Sequence, residues 1–350
     1  MINGVRNDNL KLLTISQYIA ALLVIIIHSG SLNGNPEWDF FIKNIICRLA
    51  VPFFMISTAY LYRQKMMNSE SYKKKYFKKQ LKTHAFWSII YLPAGVIYLW
   101  QQASQWFVYP VALLVGVVYV GTWYHLWYLP ALLFGIWFTD WCLRKFGYKI
   151  TTVLAVICFI MGSAETYSSY IGDSIFGEVY QMYANIFVTT RNGLFFAFVF
   201  VLLGFVLSDF RNSKLFTANL PLKFMLSFII LSQEGWYIFQ NPGVDKNFLF
   251  GLVPTSLFLV TLVLNSKIKI KFPITMLRDQ ARYLFFLHPL FLETSRYSIE
   301  RYTGKGFEGW GLFIITFVLT SIISSVIIII KNKWSHPKEI SYPRQVAIQK

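Results

Sequence analysis

Apolar residues along this chain come in unbroken blocks of membrane length, not in the period-2 alternation of a half-buried strand or the narrow stripe of a surface helix. A spanning helix needs about 20 mostly apolar residues to cross roughly 30 Å of hydrocarbon. Ten blocks of that kind run from end to end, near 12–31, 43–62, 83–101, 123–143, 150–166, 193–209, 221–239, 248–264, 279–295 and 310–330. They predict an all-α, polytopic membrane bundle of ten transmembrane helices. One further apolar stretch, Trp106 to Val120, holds Pro110 and leads at once into the block that opens at residue 123. It is too short to cross and is expected as a re-entrant or interfacial piece near 106–121, buried against protein or lining a cavity.

Polar interruptions of the blocks are few. His28 closes the run Ile19-Ala-Ala-Leu-Leu-Val-Ile-Ile-Ile27. An ionisable group so placed costs on the order of 1 to 3 kcal/mol unless something polar receives it. It marks either the meeting of helix and headgroups or a protein-lined cavity with a chemical task. Gln17, Ala20, Ala21, Val24 and His28 share one helical face, a pattern of small and polar residues that suits the inside of a bundle or simple helix packing. Arg48, His125, Arg191, Glu234, Glu293 and Arg296 stand at or near the outer ends of other blocks. Singly, Arg191 and Arg296 read as snorkelling anchors. Glu234, one turn inside, is expected to meet a cation, either Arg48 or Arg191. Together these groups predict a polar vestibule opening outward.

Composition agrees: 55% hydrophobic, 19% aromatic and 14% charged residues exclude an ordinary water-soluble globule. A net charge of +17 would suggest nucleic acid in a soluble protein, but here it reports topology. With the N-terminus in the cytoplasm, 26 of the 33 Lys and Arg residues fall on inside segments and 7 outside. This bias places both termini in the cytoplasm. Counting 106–121 as a crossing would put Arg144-Lys145 and Lys267, Lys269 and Lys271 outside, so the charge pattern rejects it. Membrane lipids are the expected partners, with no nucleic acid. Residues 1–330 form the membrane domain and 331–350 a basic cytoplasmic tail. The first block lacks an A-x-A cleavage site and nine more follow, so it is expected to remain as a helix.

Chemistry-bearing motifs are sparse. Cys47, Cys142 and Cys158 fall within blocks, with neither disulfide nor zinc spacing. Lys73 to Lys82 form a basic run ahead of the third block, able to set topology, to hold anionic lipid at about 1 kcal/mol per charge, or to meet a phosphate-rich cosubstrate. No phosphate loop, zinc helix or nucleophile elbow is present. Glu37-Trp38-Asp39 is a thin basis for an acidic metal site, and no bound metal or resident cofactor is expected.

The chain resembles the acyltransferase 3 family of ten-helix membrane acyltransferases. The likeness rests on IAALLVIIIH over residues 19–28, on Arg48-Leu-Ala-Val-Pro-Phe-Phe-Met-Ile-Ser57 and on Tyr283-Leu-Phe-Phe-Leu-His-Pro-Leu290. Within the family it is most similar to the membrane half of VanT-type serine racemases, through Trp87-Ser-Ile-Ile-Tyr-Leu-Pro93, His125-Leu-Trp-Tyr-Leu-Pro-Ala131 and Arg191-Asn-Gly-Leu-Phe-Phe196. The resemblance implies transfer of an acyl group, usually acetyl from cytosolic acetyl-CoA, to a hydroxyl of an extracytoplasmic glycan, lipid or wall polymer at a bacterial inner membrane. His28 is then the catalytic residue, as general base or as a covalent acyl carrier. Lys79 and Lys82 meet the CoA phosphates, while Gln17, Arg48, His125, Arg191, Glu234 and His288 surround the substrates. Two positions depart from the family pattern. Gln17 replaces a basic residue, and Lys79-Gln-Leu-Lys82 replaces Arg-x-x-Arg, which keeps charge but loses the bidentate fork. The racemases also carry a pyridoxal-phosphate domain after the membrane part, so racemisation is not expected of these 350 residues. A carrier for a small solute such as serine, without acyl chemistry, is the alternative, and a scaffolding protein comes third.

Overall fold

The computed structural model describes residues 7–335 apart from 68, 70, 103–115, 117, 118, 120, 173 and 272. These residues are overwhelmingly helical, and no strand occurs among them. In chain order the principal helices are α1 (Asn7–His28), α2 (Pro36–Met67), α3 (Ser71–Gln102), α4 (Tyr128–Ser163), α5 (Ile175–Phe187), α6 (Gly193–Asp209), α7 (Leu220–Gln240), α8 (Leu252–Asn265), α9 (Thr275–Thr303) and α10 (Trp310–Ser335). Helix α2 widens into a π-turn over Phe41–Ile46 and tightens over Cys47–Leu49, and α6 also starts with a π-turn.

The expected blocks all fall on these helices. Four of them, α1, α2, α4 and α10, are long and apolar enough to cross a membrane by themselves, and α6 and α8 are apolar but shorter. Basic residues fill the first half of α3, and charged residues occupy both ends of α9, so neither stands out on apolarity alone. Helix α4 contains two blocks, 123–143 and 150–166, joined at Gly147. Its φ of 68° and ψ of −178° belong to a region essentially reserved for glycine, which is why the chain breaks there. The segment near 106–121 lies outside the described residues apart from Gly116, Tyr119 and Gly121, as does the tail from 336 onward.

Helix α1 runs through the middle of the bundle, packed against α2, α8, α9 and α10. Its small face does what the pattern predicts: Ala20, Ala21 and Val24 are buried while Ile19, on the other side, is exposed. Close approach also joins α2 and α6. A Cβ on Gly204 would lie 2.6 Å from the Ile56 carbonyl oxygen, so only glycine lets the two backbones meet there. Outward-facing apolar side chains such as Leu226, Ile229 and Ile230 on α7 and Ile314, Ile322 and Ile329 on α10 remain exposed. Such surfaces suit lipid, which is the environment of a membrane protein.

Partly buried ion pairs tie the helices together at one end. Arg63 makes a two-pronged contact with Asp209, whose carboxylate also accepts from Tyr148. Asp140 is buried between Lys73 at 2.5 Å and Arg144 at 2.7 Å. Each carboxylate thus has a cation, as a buried charge requires.

Candidate functional site

Three imidazoles from three separate parts of the chain meet at the far end of α1. His28 is the last residue of that helix, His288 lies in the middle of α9, and His125 lies in the turn leading into α4. The His28 and His288 rings stack with centroids 5.7 Å apart, and His125 stands edge-on to His288 at 5.6 Å. Tyr124 covers His28 at 4.5 Å, and Tyr91 packs on His125 at 4.8 Å. The residues that the motifs singled out one by one therefore form one cluster, facing protein and not lipid.

The backbone sets the state of one ring. Pro289 has no N–H for the Phe285 carbonyl, so α9 lacks one of its internal hydrogen bonds at this point. His288 Nδ1 lies 3.0 Å from the Leu284 carbonyl, which only accepts, so that nitrogen carries the proton. Nε2 is left with a lone pair and no partner in a fully buried side chain. His125 is buried too, at 3% exposure. His28 is half-buried as a residue, whereas His125 and His288 are buried.

Cations hold the end of α1 in place. Arg296 donates to the His28 carbonyl at 3.0 Å and pairs with Glu293 at 3.2 Å, while Lys43 donates to the Gly30 carbonyl at 3.1 Å. Positive groups belong at a helix C-terminus, where the last carbonyls lack internal partners. Arg296 is therefore more than an interfacial anchor: it fixes the backbone of the site.

The outer polar residues group differently from the expectation. Arg48 donates to Asn44 and Asn247, both at 2.6 Å, and Asn247 in turn donates to Asp245. Glu165 accepts from Thr189 and Thr190. The Arg191 guanidinium lies over the Trp127 ring, 5.1 Å from its centre. Glu234 meets neither arginine. It accepts from Tyr167 and from the backbone N–H groups of Phe250 and Gly251, at 2.5 and 2.6 Å for the latter two. A carboxylate suits the positive start of α8 as well as it suits a cation, and this cap, not a salt bridge, explains why it is inside. Asp39 is likewise engaged with Ser31, Leu32 and Asn33, which removes the acidic pair with Glu37 as a metal site. Among the described residues no three His, Cys, Asp or Glu side chains are arranged to hold a metal ion. Asp245 and Asn247 were beyond the reach of the sequence because they lie in a polar loop outside every block. Lys43 and Arg296 were visible but gave no sign of the carbonyls they cap.

On the opposite side a slot of about 220 Å³ reaches into the bundle between α1, α2, α3, α4 and α9. Gln17 lines it and donates to Ser57 at 3.1 Å. Lys79 stands at its mouth, where a broader groove of about 490 Å³ adds Lys75, Lys78 and Lys82. Phe54, Tyr128 and Phe285 close the inner end, with Phe285 centred 6.3 Å from Phe54 and 5.4 Å from Tyr128. The other side of Phe285 touches the histidines, 5.7 Å from His125 and 6.4 Å from His288. An aromatic layer thus stands between the basic slot and the imidazole cluster.

A helical bundle with a histidine cluster between a basic slot and an outer polar network defines a membrane protein of buried polar chemistry. The chain belongs to the acyltransferase 3 family, whose acyltransferase domain matches residues 13–329. It is 34% identical over 257 residues to a serine/alanine racemase of Enterococcus gallinarum, covering 69% of this chain and 35% of the racemase. It is 28% identical over 335 residues to an amino-acid racemase of Enterococcus faecalis, covering 90% of this chain and 45% of that protein. The chain thus spans less than half the length of these relatives. No solved structure matches it.

Proposed function

We propose that this protein is a membrane O-acyltransferase that moves an acyl group, acetyl in the simplest case, from cytosolic acyl-CoA to a hydroxyl of an extracytoplasmic glycan, lipid or wall polymer. The observation that carries the reading is the cluster of His28, His125 and His288, which lies across Phe285 from a slot with a basic mouth. Ten crossings of a bacterial inner membrane with both termini in the cytoplasm fit the charge bias, and this topology puts the slot on the CoA side.

In the proposed reaction the acceptor oxygen attacks the thioester carbonyl carbon. The carbon–oxygen bond forms, the carbon–sulfur bond breaks, and the hydroxyl proton passes to the free nitrogen of His28 and then to the departing thiolate. The His288 ring, stacked on His28 with centroids 5.7 Å apart, backs the base during the transfer. Arg48 and Arg191 orient the acceptor from outside, and Lys79 and Lys82 bind the CoA phosphates. The test is transfer from labelled acetyl-CoA by purified protein in nanodiscs, with His28→Ala beside it. The variant is expected to lose at least about 100-fold, the usual contribution of a positioned base. Equal turnover by the two proteins overturns the assignment.

One observation favours a second reading as a carrier: an inner slot and an outer polar network separated by an aromatic layer is also how alternating-access proteins are built. Saturable uptake of labelled serine into vesicles without CoA supports the carrier and counts against the enzyme.

A further inference from the structure

The lysines at the mouth of the slot are left without counter-ions, although their neighbours are not. Arg63 has Asp209, and Lys73 and Arg144 share Asp140. Lys75, Lys78, Lys79 and Lys82, by contrast, recur at i, i+3, i+4 and i+7 on α3 and have no carboxylate partner among the described residues. Across from them α9 presents Arg278 and Arg282, one helical turn apart, both lining the slot. The single acid beside them, Asp279, pairs with Arg282 at 3.5 Å. Six cations with one paired acid among them leave a net repulsion around the opening that an anion relieves.

We propose that Arg278 and Arg282 form the second jaw of a phosphate clamp whose first jaw is the α3 lysine stripe, and that the clamp holds the nucleotide end of the acyl-CoA while its arm enters the slot. Lysines act as point charges, whereas a guanidinium grips phosphate oxygens in pairs. The forks absent from Lys79-Gln-Leu-Lys82 are thus supplied from the facing helix. The groove also carries Phe86, exposed at its rim, a flat face on which an adenine ring stacks. Beyond it the narrow slot, with Gln17 at depth, suits a slender chain of amides. This inference rests on the acyltransferase reading and extends it to residues outside the family motif.

Acetyl-CoA binding to the full chain in nanodiscs tests it, by calorimetry, for the wild type, for Arg278→Gln with Arg282→Gln, for Arg278→Lys with Arg282→Lys, and for Arg301→Gln at the far end of α9. The double glutamine variant is expected to raise Kd at least tenfold and the double lysine variant to an intermediate value, with Arg301→Gln unchanged. Unaltered thermal melting without CoA shows that the variants fold, and the lysine pair keeps the test alive if the glutamine pair does not. Wild-type binding with equal Kd in both double variants overturns the clamp and leaves the acyltransferase reading standing; absence of wild-type binding overturns both. If the arginines bind lipid phosphate instead, adding phosphatidylglycerol to the nanodiscs raises the melting point of the wild type and not of the variants while Kd for acetyl-CoA stays the same. That result also overturns the proposal.

Discussion

The guanidinium of Arg296 donates to the main-chain oxygen of His28 across 268 residues of sequence, at 3.0 Å. The contact fixes the last turn of α1, and with it the imidazole, without touching the ring. Arg296→Ala is therefore expected to leave the fold intact and lower turnover about tenfold. That figure lies between the loss of a helix-end cation, about 0.3 to 1 kcal/mol, and a 1 Å misplacement, about 100-fold. Arg296→Lys is expected to recover most of the activity. Initial rates and melting curves on the three proteins decide it, and wild-type rates in the alanine variant would remove Arg296 from the site.

The stacked pair of His28 and His288 is expected to behave as a unit. Each alanine variant should lose about 100-fold or more, and the double variant little beyond the worse single one, because groups that act as a unit in one step do not add. Independent, multiplying losses in a double-mutant cycle would separate the two rings.

Phe285 stands between the slot and the histidines, so its size should govern what passes. Phe285→Leu keeps an apolar core side chain at a cost of about 1 kcal/mol. It is expected to raise the rate with butyryl-CoA relative to acetyl-CoA. An unchanged ratio in competition assays would take Phe285 out of the path.

Glu234 caps α8 by accepting from the Phe250 and Gly251 amides. Its replacement by alanine is expected to cost about 0.5 to 2 kcal/mol of stability, as for other helix caps. The catalytic rate below the melting transition should not change. A selective loss of turnover without a lowered melting point would return Glu234 to the substrate site.

Much of the architecture was legible because lipid imposes one demand, internally satisfied backbone wrapped in apolar side chains, and the blocks display it directly. The junction of Arg144, Lys145 and Gly147 inside α4 was readable from charge placed between two blocks. The histidines were readable as isolated anomalies, yet nothing in their spacing said that His28, His125 and His288 meet, since their helices are joined through tertiary packing. Glu234 misled for a related reason. A carboxylate in an apolar segment demands a positive partner, but one sequence does not distinguish a guanidinium from the amides opening a distant helix. The same blindness hid Lys43 and Arg296, whose partners are carbonyls with no letter in the sequence.

The ring layer of Phe54, Tyr128 and Phe285 has a consequence for the cell that carries the protein. A histidine relay open to water on both faces would short-circuit the proton gradient. If the imidazoles move protons as proposed, the packed rings of Phe54, Tyr128 and Phe285 would keep water of the basic slot from them between turnovers and so preserve the membrane voltage.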